Sequence, residues 1–534
     1  MGVSETLDQL LSINHYLLTM KGNPCYWNIN VDKPGLLAVT LGLSLLFSGC
    51  TGNNQSSNTD TANTPAPNTP IQRFDGVTIT VLSKDPSKGI TEPLIRRGPD
   101  FERLTGAKID LKLVEDNNVI YAETMADFKA GTKKYDLVLL SPQWMADYVS
   151  GNYLENLTPR IQADPALQWD DISPFFRDFL ASYRGNTYII PLDGDFVMAY
   201  YRSDLLEQAN LEPPATWEEY IKIAEKFHGQ DLNGDGVPDY GSCINRGQNP
   251  RKVLAFASAY LQSQGTKQGA FFDPDTLKPL VNNPAFGKAL DLYKETLKYG
   301  PADELDYDYP QQRGAFISGR CALTLDWGDI GTLALEGDSK VTDKVGAVVL
   351  PGAKEVLDRS TGQLVTCDKI TCPYAVNGVN YAPYAGYGGF AGAINAAVDP
   401  EKKDAAYAFL SYLSQPEQSN VDVTIGITGY NPYRISQFTD RQVWLDAGMS
   451  FEAASKYLGA IGVSLRSPNM VLDISIAQNQ RYLEEVMHPA IRDFLTDKIT
   501  REQALQQIEQ GWEKLTDEIG RESQLEAYRA SLGL

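Results

Sequence analysis

At 534 residues the chain exceeds the size at which one hydrophobic core stops growing, so two lobes or domains are expected. With 43% hydrophobic and 10% aromatic residues it has enough apolar material for large cores, which excludes a disordered chain. A net charge of -21 excludes nucleic acid and an anionic membrane surface as partners, because phosphate binding requires clustered Lys and Arg.

The N-terminal segment, residues 1–49, is predicted to be a signal peptide. Its apolar run, Leu36 to Phe47, is preceded by Lys33, followed by Ser48, Gly49 and Cys50, and too short to span a bilayer, which takes roughly 20 apolar residues. The small residues before the cysteine resemble a bacterial lipobox, which makes Cys50 the expected lipidation site, although Phe47 departs from that pattern. The acidic Glu5 and Asp8 do not suit a signal sequence, whereas Met20 followed by Lys21 gives a conventional basic start. Residues 50–74 form an expected flexible tether: TGNNQSSNTDTANTPAPNTP has no large apolar residue to offset its ordering entropy, and 20 such residues reach roughly 25 Å.

The body alternates strands and helices. Val77 to Leu82 reads as a strand, an amphipathic segment ends at FERLTG, and Ile109 to Val114 alternates with period two, which makes a βαβ unit. A helix from Val119 to Ala130 leads into the strand Asp136 to Leu140. The runs Thr187 to Pro191 and Phe196 to Tyr201 are too short for helices and are separated by Asp193, Gly194 and Asp195, which predicts a strand crossing. Thr216 and Glu219 have capping-box spacing and open a helix expected to bury Trp217, Tyr220, Ile221, Ala224 and Phe227. Further helices are predicted over Lys252 to Gln262 and Ala285 to Lys298, and a strand over Cys321 to Leu325. KVGAVVLP is expected to return to the first lobe, Asp399 to cap a helix beginning at Pro400, and a Thr500 and Gln503 capping box to open a C-terminal helix. No internal repeat is present.

The order IP…YYRSDLL…PPATWEEY resembles the extracellular solute-binding proteins of bacterial ABC importers, in particular the group that includes maltose-binding protein. Five further blocks carry the resemblance in the same order: DFERLTGAKIDLKLVE, KYDLVLLSPQWMADYVSGNYLENLTP, GAFISGRCALTLDWGD, KVGAVVLPG with GGFAGAINAAVDPEKKDAAYAFLSYL, and ITREQALQQIEQGWEKL. It implies an α/β, two-lobed periplasmic-binding-protein fold with a hinge and an interlobe ligand cleft. Residues 75–194 and 351–425 would make lobe 1, and residues 195–350 and 426–534 lobe 2.

Ligand groups in open α/β sheets lie beyond the carboxyl ends of strands, which nominates Lys84, Asp85, Ser141, Gln143 and Trp144. Aromatic residues beside carboxylates suit a sugar, whose C–H faces pack on rings while its hydroxyls need acceptors. Asp326 and Trp327 of DWGD fit that description, with Asp195, Tyr387 and Arg434 completing the expected ligand set. The resemblance implies that Asp85 matches an acidic ligand residue, Trp327 a sugar-stacking tryptophan and Asp195 a hinge carboxylate. No catalytic residue is assigned, because the pairs Asp193 with Asp195 and Asp326 with Asp329 are adjacent on one loop, whereas a glycosidase opposes its carboxyls across the scissile bond.

DLNGDGVPD places Asp231, Asn233, Asp235, the Val237 carbonyl and Asp239 at positions of a calcium loop, with Ser242 where a bidentate Glu would stand. Structural calcium is therefore an expected cofactor, with an Asx-rich turn as the alternative. Cys367 and Cys372 are close enough to close a local bridge, which leaves Cys243 and Cys321 to pair or stay buried. Three pairings are formally open, and three His in the chain offer no complete zinc set. The expectation is a monomeric, lipid-anchored receptor that hands a carbohydrate to permease subunits. A polyamine or other cation is the alternative ligand.

Overall fold

The computed structural model describes residues 72–86, 89–247 and 250–534. Strand β1 (Thr78–Lys84) pairs in parallel with β2 (Lys108–Val114), from Thr78 opposite Lys108 to Lys84 opposite Val114. The crossover helix between them, α1 (Glu92–Thr105), ends on Gly106, whose φ of 80° is a left-handed cap that suits glycine. Helix α2 (Asn117–Ala130) starts on Asp116, whose carboxylate accepts from the N–H groups of Asn118 and Val119. It feeds β3 (Leu137–Leu140), fully buried on the other side of β1. The body begins slightly earlier than the composition suggests: Phe74 is buried and donates its N–H to the Thr105 carbonyl at 2.7 Å.

Two short strands then fall in different sheets. Strand β4 (Ile189–Pro191) belongs to the first, and β5 (Met198–Arg202) to the second. After β5 come α3 (Trp217–Phe227), β6 (Tyr240–Cys243), α4 (Arg251–Leu261), α5 (Pro284–Glu295), α6 (Tyr309–Ile317), β7 (Cys321–Asp326) and β8 (Val345–Val349). The second sheet has the order β8-β5-β7-β6, so the KVGAVVLP strand is still part of it, with Val345 opposite Arg202.

The expected return to lobe 1 at residue 351 is corrected by the next elements. The hairpin β9 (Glu355–Asp358) and β10 (Gln363–Thr366) packs on α4 and α5. Lys288 of α5 holds Glu355 at 3.0 Å, and Arg359 donates to the Gln268 carbonyl at 2.8 Å. Strand β11 (Tyr384–Ala385) lies in neither sheet, and β12 (Ala391–Ile394) is the strand that rejoins the first, whose order is β2-β1-β3-β12-β4. Helix α7 (Pro400–Ser414) packs on it. Asp399 does not cap α7; its side chain turns to Lys133 at 3.6 Å. Strand β13 (Val471–Leu472) pairs in parallel with β11, and α8 (Arg501–Ile519) opens on the expected capping box, with Thr500 Oγ1 accepting from Gln503 N and Gln503 Oε1 from Thr500 N.

One apolar cluster extends through both sheets, and a smaller one, around Leu82, Val138, Trp144 and Tyr148, forms a second core beside the first sheet. Trp217 is fully buried and stacks on Phe256 with ring centroids 3.7 Å apart, which makes it part of the core as its helical position implies. Both disulfides are formed: Cys243–Cys321 ties β6 to β7, and Cys367–Cys372 closes a local loop.

Between the sheets the chain crosses at residues 192–197, 386–390 and 426–434, and these segments bond to one another. Leu192 and Asp193 donate their N–H groups to the Phe390 carbonyl, and Gly194 donates to that of Asn431 at 3.1 Å. The approach is close enough to require glycine at 389: its φ is 92°, and a Cβ there would lie 2.2 Å from the Asp193 carbonyl oxygen.

Candidate functional site

The crossings gather charged groups that each strand end contributes singly. Asn431 joins two of them, its N–H donating to Asp193 Oδ1 at 2.6 Å and its Nδ2 to Asp195 Oδ1 at 2.9 Å. At the end of β7, Asp326 accepts from Arg313 Nε and Nη2, both at 2.9 Å, and the same Nη2 lies 2.8 Å from Asp329. Lys84, the last residue of β1, enters from the first sheet with its ammonium 4.9 Å from the Phe390 ring. Lys252, in the first turn of α4, enters from the second lobe and places its ammonium 3.9 Å from the ring centroid of Trp327.

Burial dominates the electrostatics of this cluster. Desolvation pushes Asp193 up to about 8 against the backbone N–H of Asn431, which favours the anion. Asp195 lies well above the usual carboxylate range through desolvation and then the neighbouring Asp193 and Asp329. Asp329 is raised by desolvation, with Arg313 opposing. Desolvation lowers Lys84 and Lys252 to about 8 each, against the pull of the aspartates. Arg313 remains charged, because Asp326 and Asp329 outweigh its desolvation.

Beside this cluster sits a second, built around a buried ion pair. Arg251 donates to Asp473 and to Gln143 Oε1, each at 2.7 Å, and its guanidinium lies 3.9 Å from the Tyr387 ring centroid. Asp473 also accepts from Tyr384 Oη at 2.7 Å and Tyr387 N at 3.0 Å, while Asn479 Nδ2 donates to Gln143 Oε1 at 3.1 Å. Tyr387 has a φ of 66°, a conformation sparsely used by residues other than glycine. Asp473 on its N–H and Ser141 Oγ on its carbonyl at 2.8 Å hold it there. Its hydroxyl meets that of Tyr309 at 3.1 Å, and both rings flank Trp327.

Of the residues expected at the site, Asp195, Asp326, Trp327, Tyr387 and Gln143 are brought together. Three are placed elsewhere. Trp144 is core, packed on Tyr121 at 5.3 Å, because the short helical turn after β3 rolls its ring under the first sheet. Asp85 is exposed, its N–H donating to the Val114 carbonyl, so Lys84 is the residue that faces the cluster. Arg434 is wholly buried and donates to the carbonyls of Ser414, Gln168 and Leu167, a structural tie across lobe 1. The residues not foreseen are Lys252, Arg251, Arg313, Asn431 and Asp473. A signal existed for the first two: RKVLAFASAYL opens an otherwise apolar, fully buried helix with two cations.

In the loop expected to hold calcium the carboxylates are bonded internally. Asp231 accepts from the N–H groups of Gly234, Asp235 and Gly236, and Asp235 from that of Val237. Asp239 pairs with Arg320 at 3.1 Å and caps Leu232 N, and Ser242 Oγ is engaged by the Tyr220 hydroxyl. Asn233 reaches the Ser318 carbonyl at 3.3 Å. Among the described residues no group of three or more His, Cys, Asp or Glu is arranged to hold a metal ion, and the Asx-turn reading fits these bonds.

The model of the bacterial extracellular solute-binding protein family matches residues 86–420. The chain belongs to that family. This solute-binding protein is 28% identical over 260 residues to the mannitol-binding protein of Pseudomonas aeruginosa, covering 47% of this chain and 55% of that one. Over 273 residues it is 22% identical to the erythritol/L-threitol-binding protein of Mycolicibacterium smegmatis, covering 48% and 54%. The match therefore spans about half the length of these curated relatives. Its fold is that of an ABC transporter solute-binding protein from Agrobacterium radiobacter K84 in complex with ribitol, with 24% identity, a TM-score of 0.65 and 83% and 100% of the two chains covered. It is likewise that of maltose-bound MalE3 from T. maritima, at 21% identity, a TM-score of 0.65 and 82% and 100% coverage. The two-lobed α/β architecture is thus established, in a family described as solute-binding proteins. Asp326 and Asp329 accordingly converge on one guanidinium instead of opposing each other across a bond to be cleaved.

Proposed function

We propose that this extracytoplasmic solute-binding protein takes up a polyhydroxylated neutral solute, a sugar or polyol, between its lobes and delivers it as a monomer to an ABC permease. The observation that carries the reading is the interlobe cluster, in which carboxylates and cations from both sheets and the crossings converge in a desolvated place. Asp193, Asp195, Asp326 and Asp329 face Lys84, Lys252 and Arg313, and the carboxylate in excess is the kind of buried acid that keeps a proton. Such a balanced set offers both donors and acceptors, which hydroxyl groups satisfy in pairs. A polyamine is not favoured, because cations already stand against these carboxylates. The relatives that bind mannitol and erythritol or L-threitol support the same ligand class.

The lipid anchor at Cys50 belongs to this proposal too, and lies outside the described residues together with the signal segment. No helix among the described residues is long and apolar enough to cross a membrane. A thermal-shift screen of D-mannitol, ribitol, erythritol, maltose and spermidine tests the ligand class. A polyol or sugar at 100 times its Kd raises stability by about 2.7 kcal/mol. A rise with spermidine alone would replace the reading by the cationic one. Fatty-acid labelling that persists in Cys50→Ala would move the anchor elsewhere.

A further inference from the structure

Lys252 is a residue of the cluster whose bonding is unfinished. It is fully buried, yet its ammonium makes no hydrogen bond and lies within 4.0 Å of no carboxylate among the described residues. What it touches is the indole of Trp327, 3.9 Å from the centroid, a cation–π contact that offsets part of its desolvation and leaves its donors unused. The indole is otherwise enclosed. Tyr309 meets it edge-on at 5.3 Å, Tyr387 is tilted against it at 5.7 Å, its Nε1 donates to the Gly386 carbonyl at 2.9 Å, and only 3% of the residue is exposed. Trp327 is thus fixed as a seat for the ammonium.

We propose that Lys252 sets the ligand class at this site: its ammonium, seated on Trp327, donates to a hydroxyl of a neutral acyclic polyol, and by covering the indole it removes the platform on which a pyranose would stack. This deepens the function proposed above and rests on it. Lys84 supplies the matching ammonium from the first sheet, also with no carboxylate within 4.0 Å among the described residues, and Asp195 stands at the crossing between the lobes. A flexible chain of hydroxyls can turn successive oxygens to donors on either side. A ring presents its hydroxyls on a rigid rim and needs an apolar face beneath it, and here the ammonium occupies that face.

The test is calorimetric titration of the full chain and of Lys252→Met with D-mannitol, ribitol and maltotriose, with melting of each protein in the absence of ligand. The parent is expected to bind the polyols and not maltotriose. Lys252→Met is expected to lose about 10- to 100-fold in polyol affinity, the range for a hydrogen bond to a charged group, while melting at or above the parent temperature because a buried charge has gone. A residue that only supports the fold would lower melting instead. Should Lys252→Met fail to fold, Lys252→Gln, which keeps a donor, is expected to bind polyols more tightly than Lys252→Ala. Polyol affinity unchanged in Lys252→Met overturns the role of Lys252 and leaves the solute-binding reading standing. Tight maltotriose binding to the parent overturns the acyclic assignment alone, and a parent that binds neither polyols nor sugars overturns both.

Discussion

Arg434 and Asp195 both lie at crossings between the sheets. Asp195 faces the interlobe cluster, whereas Arg434 turns into lobe 1 and satisfies three carbonyls. Arg434→Met is therefore expected to cost roughly 3 kcal/mol or more in urea unfolding, because it strands those acceptors and Asp171. Polyol affinity of the folded fraction should not change, and weaker binding at parental stability would return Arg434 to the site. The titrating residues give a second expectation. With Asp193 pushed up to about 8, the folded protein keeps a proton that the unfolded chain releases near ~4, so stability falls as pH rises from ~4 to 8. Lys252 is pushed down to about 8, so between 8 and ~10.4 the unfolded chain holds the extra proton and stability rises. Melting temperature should pass through a minimum near pH 8, with the acid limb weakened in Asp193→Asn and the alkaline limb in Lys252→Met. A profile unaltered by either substitution would show that these groups titrate alike in both states. Lys252 escaped the sequence reading because nothing in a periodic helix says which turn faces a neighbouring lobe.

Among the elements, the strands and helices of the first βαβ unit, the crossing after Pro191, the Thr216 cap and the Thr500–Gln503 capping box were legible, since alternation, caps and breakers are local; Glu219 instead accepts from Ala215 N. The boundary after Val349 was not, because the hairpin Glu355–Thr366 is held on the second lobe by Lys288 and Arg359, contacts that sequence proximity does not encode. Cysteine pairing was open for the same reason. Of the two bridges, Cys243–Cys321 closes the larger loop, with a sequence separation of 78 against 5. Chain entropy gives it about 4.5 kcal/mol and the local bridge about 2 kcal/mol. The Cys243→Ala, Cys321→Ala double variant should thus unfold at distinctly lower urea than the Cys367→Ala, Cys372→Ala pair, and the reverse order would contradict the account. In the Asp231 loop, the carboxylate accepts three backbone N–H groups, so Asp231→Ala should lower melting equally in calcium and in chelator. A loss confined to calcium-containing buffer would restore the metal.

For the whole molecule, two sheets joined by three crossing segments place a desolvated, nearly balanced charge cluster where the lobes meet. Family and fold could be read from the chain, because the blocks that specify them occur in order. The cations that complete the site could not, because they arrive from β1, α4 and α6, elements far apart in sequence. The claim that a polyhydroxylated ligand is held at this junction is met most directly by calorimetric titration of the full chain with D-mannitol, beside Asp195→Asn. The account predicts one site per chain, weakened in the variant by about 1 to 3 kcal/mol, or roughly 5- to 150-fold, with far-UV circular dichroism unchanged. No heat of binding in the parent, or equal affinity in a folded Asp195→Asn, would contradict it.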